Sequence, residues 1–411
     1  MSSDMTNEES VIDEDIALPT PAVPPIVGMY RYPAVANVYF GKPAAKVLAD
    51  ETARRNARRI VVVANRSMLR VGAVHTATQQ IDYRMVGLFA DCPAHTPREA
   101  ALALAEMLRE IEADLVISVG GGSVIDTVKV ALLCMATGVT HVDQFDSWRV
   151  GVSNQGKRIV PVLPEHPLRQ IAVPTGLSAA EFHELAGCTD TASGQKHLYG
   201  GGHICPDTVV LDPAMTVHTP ARLWLSTGLR AMERAIDAVC VPDRNPMIDA
   251  SCLHALSLLA ESLPVNRSAP FDLGKRLDSQ LGAWLATSGI NRPDQGINQS
   301  VSHVLGAALG LAHGVGDAAL LPALMAFNEE VCEDRHALIA KAMGRPNRRA
   351  SKVVRKMVSA LGLPTRLRHL LPDTSGFEAV SISVLANPAL RANPRPIIDP
   401  EQVREILDAA W

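Results

Sequence analysis

This 411-residue sequence predicts an α/β domain built on a parallel sheet, followed by an all-α domain. Three observations carry that expectation. From about Tyr32 to Asp212, short β-branched runs alternate with longer amphipathic stretches, the pattern of strands joined by helical crossovers. Past about Asp212 the strand signals stop and helical stretches follow one another. Within the first region, one strand runs straight into three glycines that open a helix. The expected division is a disordered acidic and Pro-rich tail over 1–27, the α/β domain over 28–214 and the helical domain over 215–411, with the switch near Pro213–Thr219.

The elements follow in order. MSSDMTNEESVIDEDIALPTPAVPP lacks a basic start and an apolar run, so it reads as a tail and not as a secretory signal. KPAAKVLADETARRN is a helix leading into ARRIVVVAN (57–65), a buried strand. TPREAALALAEMLREIEA (96–113) reads as a helix with Thr96 as N-cap, Pro97 at the first helical position and Glu99 at N3. ADLVISVGGGS (113–123) gives a strand and its glycine turn, VIDTVKVALLCMAT (124–137) the next helix, and RQIAVPT (169–175) and DTVVLDP (207–213) two further strands. Helical stretches then begin at TPARLWLSTGLRAMERAIDAVC and continue through MIDASCLHALSLLAESL, GKRLDSQLGAWLATSG, HGVGDAALLPALMAFNEEV and RHALIAKAMG to RPNRRASKVVRKMVSALG (345–362).

Composition narrows the function. Apolar residues make up 47% and charged residues 20%, enough to bury a core, and aromatics are only 4%, so that core is expected to be mostly Ala, Val and Leu. A net charge of −4 leaves no basic excess to neutralise phosphates, which argues against a nucleic-acid partner. No stretch of roughly 18 uninterrupted apolar residues occurs, so no membrane partner is expected. Seven scattered cysteines without a C-x-x-C pair fit a reduced, cytoplasmic setting and not a structural zinc site.

SVGGGSVIDTVK (118–129) is the strongest local signal. Gly120, Gly121 and Gly122 let the backbone turn tightly and approach a ligand, and Ser123 opens a helix whose free N–H groups and dipole favour an anion. A pyrophosphate fits, although the spacing is not G-x-G-x-x-G. A tight turn without a ligand is the competing reading, and three consecutive glycines, each costing backbone entropy, weigh against it.

The run GGGSVIDTVK resembles the GGGS-x-x-D-x-x-K signature of the iron-containing (group III) alcohol dehydrogenase family, which is itself similar to dehydroquinate synthase. AVPTGLSAAEF (172–182), LDPAMTVHTPARLWLSTGLRAMERAID (211–237) and VSHVLGAALGLAHGVGDAALLPALMAFN (301–328) resemble further family segments in the same order. LGLPTRLR (361–368) and NPRPIIDPEQVREILDAAW (393–411) look most like the maleylacetate reductase branch. The resemblance covers nearly everything after about residue 28. It implies a dinucleotide-binding α/β domain, a helical catalytic domain, a site in the cleft between them, NAD(H) or NADP(H), a divalent metal in most members and often a homodimer. By position, Gly120, Gly121, Gly122 and Ser123 would hold the pyrophosphate with Asp126 and Lys129 nearby, and Thr175, Gly176 and Ser178 would line the nicotinamide side. Gly176 stands where the family's PTT loop has its second Thr. Asn65 stands where many members carry an Asp that repels a 2′-phosphate, and with Arg66 adjacent it leaves NADPH open.

The same resemblance exposes a departure. Metal-dependent members hold their ion with one Asp and three His, the first two in G-x-D-A-x-x-H-A. Here that stretch reads GLRAMERA, so Arg230 and Arg234 occupy both ligand positions, Gln299 falls at the third, and His313 alone is kept. Guanidinium groups stay protonated and repel a cation, so no metal is expected. The maleylacetate reductase branch also carries Arg at the Asp position, but it keeps the two histidines that Arg234 and Gln299 replace here.

Arg230 and Arg234 are four apart on a helix, with Cβ atoms about 6 Å from each other, and such a pair suits a carboxylate. The plainer alternative is two solvated arginines paired with Glu233 or Asp237. An anionic substrate, held by Arg230, Arg234 and Gln299 with help from Lys196 or His197, would undergo conjugate reduction, the cations stabilising the enolate. His303 or His313 would supply the proton, the alternative for each being a structural histidine. The leading expectation is a metal-independent NAD(P)H-dependent reductase of a small unsaturated keto acid, with maleylacetate to 3-oxoadipate as the named candidate. A different, biosynthetic or non-redox, reaction on an anionic substrate and a non-catalytic nucleotide-binding homologue are the competing readings.

Overall fold

The computed structural model describes residues 28–152, 158–289, 301, 304, 315–385, 390 and 393–411. Six parallel strands form the main sheet: β1 (Asn37–Phe40), β2 (Ile60–Ala64), β3 (Met85–Phe89), β4 (Leu115–Gly120), β7 (Gln170–Pro174) and β10 (Thr208–Leu211), in the spatial order β1-β10-β7-β4-β2-β3. Helices α1 (Ala44–Arg54), α2 (Arg66–Arg70), α3 (Ala73–Thr78), α4 (Arg98–Glu110) and α5 (Gly122–Thr137) connect the strands up to β7.

The central strands are buried on both faces, which is why they read as nearly continuous apolar runs. Strand alternation sends Val61 and Val63 into the core shared with α4 and α5, and Ile60, Val62 and Ala64 into the core shared with α1 and α3.

Two antiparallel hairpins interrupt the βα rhythm: β5 (Gly151–Val152) with β6 (Arg158–Ile159), and β8 (Leu185–Thr189) with β9 (Lys196–Gly200). The sequence pattern announced neither hairpin. It also missed β1 and β3, whose residues are mostly half-exposed or exposed because they form the sheet edges. The expected Thr96 cap is corrected: the N-cap is Pro97, and α4 starts at Arg98 without a side-chain cap. Thr96 adopts a left-handed φ of 53°, and its hydroxyl donates to the Ser123 carbonyl at the start of α5.

The sheet ends at Leu211, and the helical region begins with α6 (Ala221–Cys240), α7 (Pro246–Ser268) and α8 (Leu273–Leu285). It continues with α9 (Val315–Phe327), α10 (Glu333–Ala342), α11 (Ala350–Ala360), α12 (Phe377–Leu385) and α13 (Pro400–Ala410). Trp224, Leu229, Met232 and Ile236 of α6 lie in the core with Leu256, Leu259 and Leu263 of α7. At the junction, Trp224 Nε1 donates to Asn266 Oδ1 at 2.9 Å, and Arg276 stacks on the Trp224 ring while donating to the Thr216 carbonyl at 2.8 Å. Leu177 and Phe182, from the segment after β7, belong to the helical core, so this segment is the physical bridge between the two halves. Among the described residues no single helix is long and apolar enough to cross a membrane.

Candidate functional site

β4 ends at Gly120, and α5 begins at Gly122 with Gly121 as its N-cap. The first amides of a helix have no intrahelical acceptor, and no acidic side chain occupies the first turn of α5 to compete for them. A Cβ at Gly122 would sit 2.8 Å from Ser178 Oγ and 3.0 Å from Ser178 Cβ, so glycine lets the loop after β7 close onto the helix start. Gly121 and Gly176, by contrast, face open space. Thr175 N donates to the Gly120 carbonyl at 3.0 Å, and Thr219 Oγ1 donates to the Thr175 carbonyl at 2.6 Å, fastening the loop to the glycine turn and to the junction. Thr175, Gly176, Ser178 and the three glycines therefore form one cradle. We expect Gly122→Ala to push Ser178 away and weaken dinucleotide binding about tenfold, with about 1–3 kcal/mol of destabilisation, measured by nicotinamide fluorescence titration and thermal melting.

Ser123 Oγ accepts from His95 N at 3.3 Å, and its carbonyl accepts from Thr127 at 2.7 Å. Asn65 Oδ1 caps α2, accepting from Met68 N at 3.0 Å and Ser67 Oγ at 2.7 Å, so its side-chain oxygen is engaged locally. Arg66 is exposed and 3.5 Å from the exposed Asp91. Asp126 Oδ2 accepts from Gly187 N at 3.3 Å, while its Oδ1 is buried with no hydrogen-bond partner among the described residues. Burial raises the Asp126 carboxyl above the usual range, opposed by Lys129, Lys196 and Arg234.

Lys129 is wholly buried and does not reach toward the glycine turn. Its ammonium donates to the carbonyls of Ala180, His183 (2.6 Å) and Leu185 (2.9 Å), which uses all three of its hydrogens. Its role is to hold the segment after β7, and burial lowers its pKa. Lys196 and His197 sit on opposite faces of β9. Lys196 is exposed and near Asp126, whereas His197 Nδ1 lies 3.2 Å from Arg98, in a cluster with Asp146 and Tyr199.

The two arginines diverge. Arg230 Nε lies 3.4 Å from Asp317 Oδ2, a side chain only 4% exposed on α9. Arg234 instead donates from Nη1 to the Ser178 carbonyl at 2.7 Å, reaching from α6 to the segment after β7. Burial, then the neighbouring Arg230 charge, pushes Arg234 down to about 10, so it remains a cation at neutral pH. One turn further along α6, burial and Asp317 push the Asp237 carboxyl up to about 7. Gln299, His303 and His313 lie outside the described residues.

Sequence reasoning missed Glu181. It is 2% exposed, its Oε2 has no hydrogen-bond partner among the described residues, and burial pushes its carboxyl up to about 7 against the pull of Lys129 and Arg234. The signal that could have found it is an acidic residue inside the apolar stretch AVPTGLSAAEF. A separate cavity of about 660 Å³ lies between α9, α10, α13 and the 346–350 loop, and none of the expected site residues lines it.

Residues 35–213 match the family model described as iron-containing alcohol dehydrogenase, and residues 224–411 match its C-terminal counterpart. The chain is 30% identical over 311 residues to the probable alcohol dehydrogenase EutG of Salmonella typhimurium, covering 74% of this chain and 75% of that protein. It is 28% identical to the maleylacetate reductase of Rhizobium sp. (strain MTP-10005), covering 92% and 96%. The crystal structure of maleylacetate reductase from Agrobacterium tumefaciens superposes with a TM-score of 0.78 at 27% identity, covering 95% of this chain and 99% of that one. With both halves of the fold, the glycine cradle and these relatives in agreement, the chain belongs to the iron-containing alcohol dehydrogenase family of oxidoreductases, near its maleylacetate reductase branch.

Proposed function

We propose that this chain is a metal-independent NAD(P)H-dependent reductase of a small unsaturated keto acid, with the conversion of maleylacetate to 3-oxoadipate, a step of aromatic-compound degradation, as its leading reaction. The observation that carries the reading is Arg234: a cation tied to the Ser178 carbonyl of the cofactor loop, at a position where metal-dependent relatives resemble one another in presenting a ligand. The maleylacetate reductases among the relatives favour the same substrate class.

A nicotinamide dinucleotide fits the chain. The α5 N-terminus is free of acidic competition, and the Ser178 loop closes over a glycine that any Cβ would obstruct. When bound, the cofactor supplies a hydride. Gly120, Gly121, Gly122 and Ser123 would hold the pyrophosphate on the helix-terminal amides, and Thr175, Gly176 and Ser178 would flank the nicotinamide.

Iron does not fit the residues at hand. Arg230 and Arg234 present only donors, and the carboxylate nearest Arg230 is already committed to it. No step is therefore assigned to a metal. Arg234 takes over the task of an electrophile, fixing a substrate carboxylate or the developing enolate oxygen where low solvent access strengthens the attraction. The proton for the α-carbon is assigned to His303 or His313. A cytoplasmic homodimer acting on a small anion, with neither nucleic acid nor membrane as partner, belongs to the same proposal.

The test is a fluorescence titration with NADH and NADPH, then oxidation of each against a panel of unsaturated keto acids, with metal analysis of the purified protein. Dinucleotide binding, turnover with a dicarboxylic substrate and insensitivity to chelators are expected. Absence of dinucleotide binding, or stoichiometric iron whose removal abolishes activity, would overturn the reading.

A further inference from the structure

The segment after β7 is gripped from both halves of the molecule. Lys129 of α5 takes its carbonyls at 180, 183 and 185, and Arg234 of α6 takes the carbonyl at 178. Glu181 stands within this gripped stretch, between the carbonyls of Ala180 and His183. Ala179, at a left-handed φ of 57°, turns the chain just before it, and its carboxyl is enclosed by protein. Both cations lie close enough to act on it electrostatically. Lys129 has no hydrogen left to donate, and Oε2 has no hydrogen-bond partner among the described residues. An enclosed carboxyl with one oxygen left unpartnered is costly to ionise, and here burial outweighs the Glu181 backbone N–H and the two cations that favour the charged form.

We propose that Glu181 is a positioning residue that sets the strength of the Arg234 anion site. When the carboxyl is protonated, the guanidinium charge is left for a substrate carboxylate; when it is ionised, that charge is compensated internally. The proposal rests on the reading of Arg234 as the substrate-anion anchor. It adds that the chain couples anion binding to uptake of one proton at a residue that does not touch the substrate.

The neighbours are consistent in sign. α5 contributes Lys129 and Asp126, and α6 contributes Arg234 with Glu233 beside it. The segment itself carries His183, held neutral by burial and by the adjacent cations, and Glu184, while β9 brings Lys196 and the hairpin before it Arg158. The Cys205 thiol lies 4.0 Å from the Glu181 carbonyl, and burial keeps that thiol uncharged at neutral pH. Because burial shifts the Glu181 carboxyl up to about 7, its proton is lost across the neutral range as pH rises. Affinity for a dianion is therefore expected to fall with rising pH, by a slope approaching tenfold per pH unit above about pH 7.

The probe is fumarate, whose two carboxyls are ionised throughout this range. Its binding to the full-length protein is followed by isothermal titration calorimetry in buffers of different ionisation enthalpy. We expect wild-type protein to take up close to half a proton per fumarate near pH 7, and affinity to drop about twenty- to thirtyfold between about pH 6.5 and pH 8.5. Glu181→Gln is expected to bind with the low-pH affinity at every pH and to take up no proton, while Glu181→Asp keeps the uptake. Asp237 ionises in the same range, and Asp237→Asn should leave the uptake in place. A wild type that binds fumarate without proton uptake overturns the proposal. So does uptake that persists in Glu181→Gln, or that vanishes in Asp237→Asn. A protein that binds no fumarate at any pH, with or without NADH, counts instead against Arg234 as an anion anchor.

Discussion

Arg234→Ala is expected to raise the KM for a dicarboxylic substrate by about ten- to a hundredfold, the loss that follows from removing one charge-assisted, partly desolvated hydrogen-bonding group at about 1.5–3 kcal/mol. Arg234→Lys should recover only part of this, because a point charge on a flexible stem cannot both hold the Ser178 carbonyl and meet a carboxylate in the plane of a fork. Arg230→Ala provides the contrast. Arg230 is already engaged with Asp317, so its loss should change KM little and lower the melting temperature instead, leaving Asp317 enclosed without its cation beside Asp237. The pH dependence of that loss has a definite sign. Asp237 has a folded pKa of about 7, raised above its ordinary value, so the folded state holds a proton that the unfolded state releases between about pH 4 and pH 7. Stability from this carboxyl therefore falls as pH rises through that window, and the fall should be steeper in Arg230→Ala than in the wild type. Kinetics and melting curves on the two single variants separate the roles. Equal KM effects for both would mean that the arginines act as a pair on the substrate, contrary to the geometry.

The distinction between the two arginines could not be read from their spacing. Four residues apart on a helix, they share a face, and the partner that separates them is Asp317, more than eighty residues away on α9. The same limit explains much of what the sequence left unsaid. β2 and β4 were legible because both of their faces are buried and nearly every position is apolar. β1 and β3 were not, because an edge strand lacks such a run. Thr96 carries a good local capping signature, but the turn it makes belongs to the contact with Ser123, a tertiary demand that outweighs the local preference. The glycine turn was legible because three successive glycines have few uses other than close approach. Lys129 is part of the same signature, yet its hydrogens go to a loop some fifty residues later, and no local pattern encodes that.

That loop leads to the largest expected effect on stability. Lys129→Met removes an ammonium from a wholly buried position while keeping the volume of the side chain. Three carbonyls at Ala180, His183 and Leu185 lose their donor together, and Asp126, whose carboxylate lies 4.0 Å from the ammonium, loses its nearest cation. Exchange of a buried ion pair for apolar groups can be neutral when both partners go, but here only one partner is removed. We expect about 3–5 kcal/mol of destabilisation, the range for stranding buried polar and charged groups, and a melting temperature lower by about 10 °C. The consequence reaches the site through the backbone. With the loop released on the α5 side, its first residues keep the Arg234 and Thr219 contacts and the Thr175 bond to Gly120, but Ser178 is less firmly fixed over Gly122. Dinucleotide affinity should therefore fall in Lys129→Met although the ammonium faces away from the glycine turn. Thermal melting with and without NADH measures both effects. A variant that melts early yet shows the full wild-type stabilisation by NADH would show that the loop keeps its place without the lysine, and that Lys129 supports the fold alone.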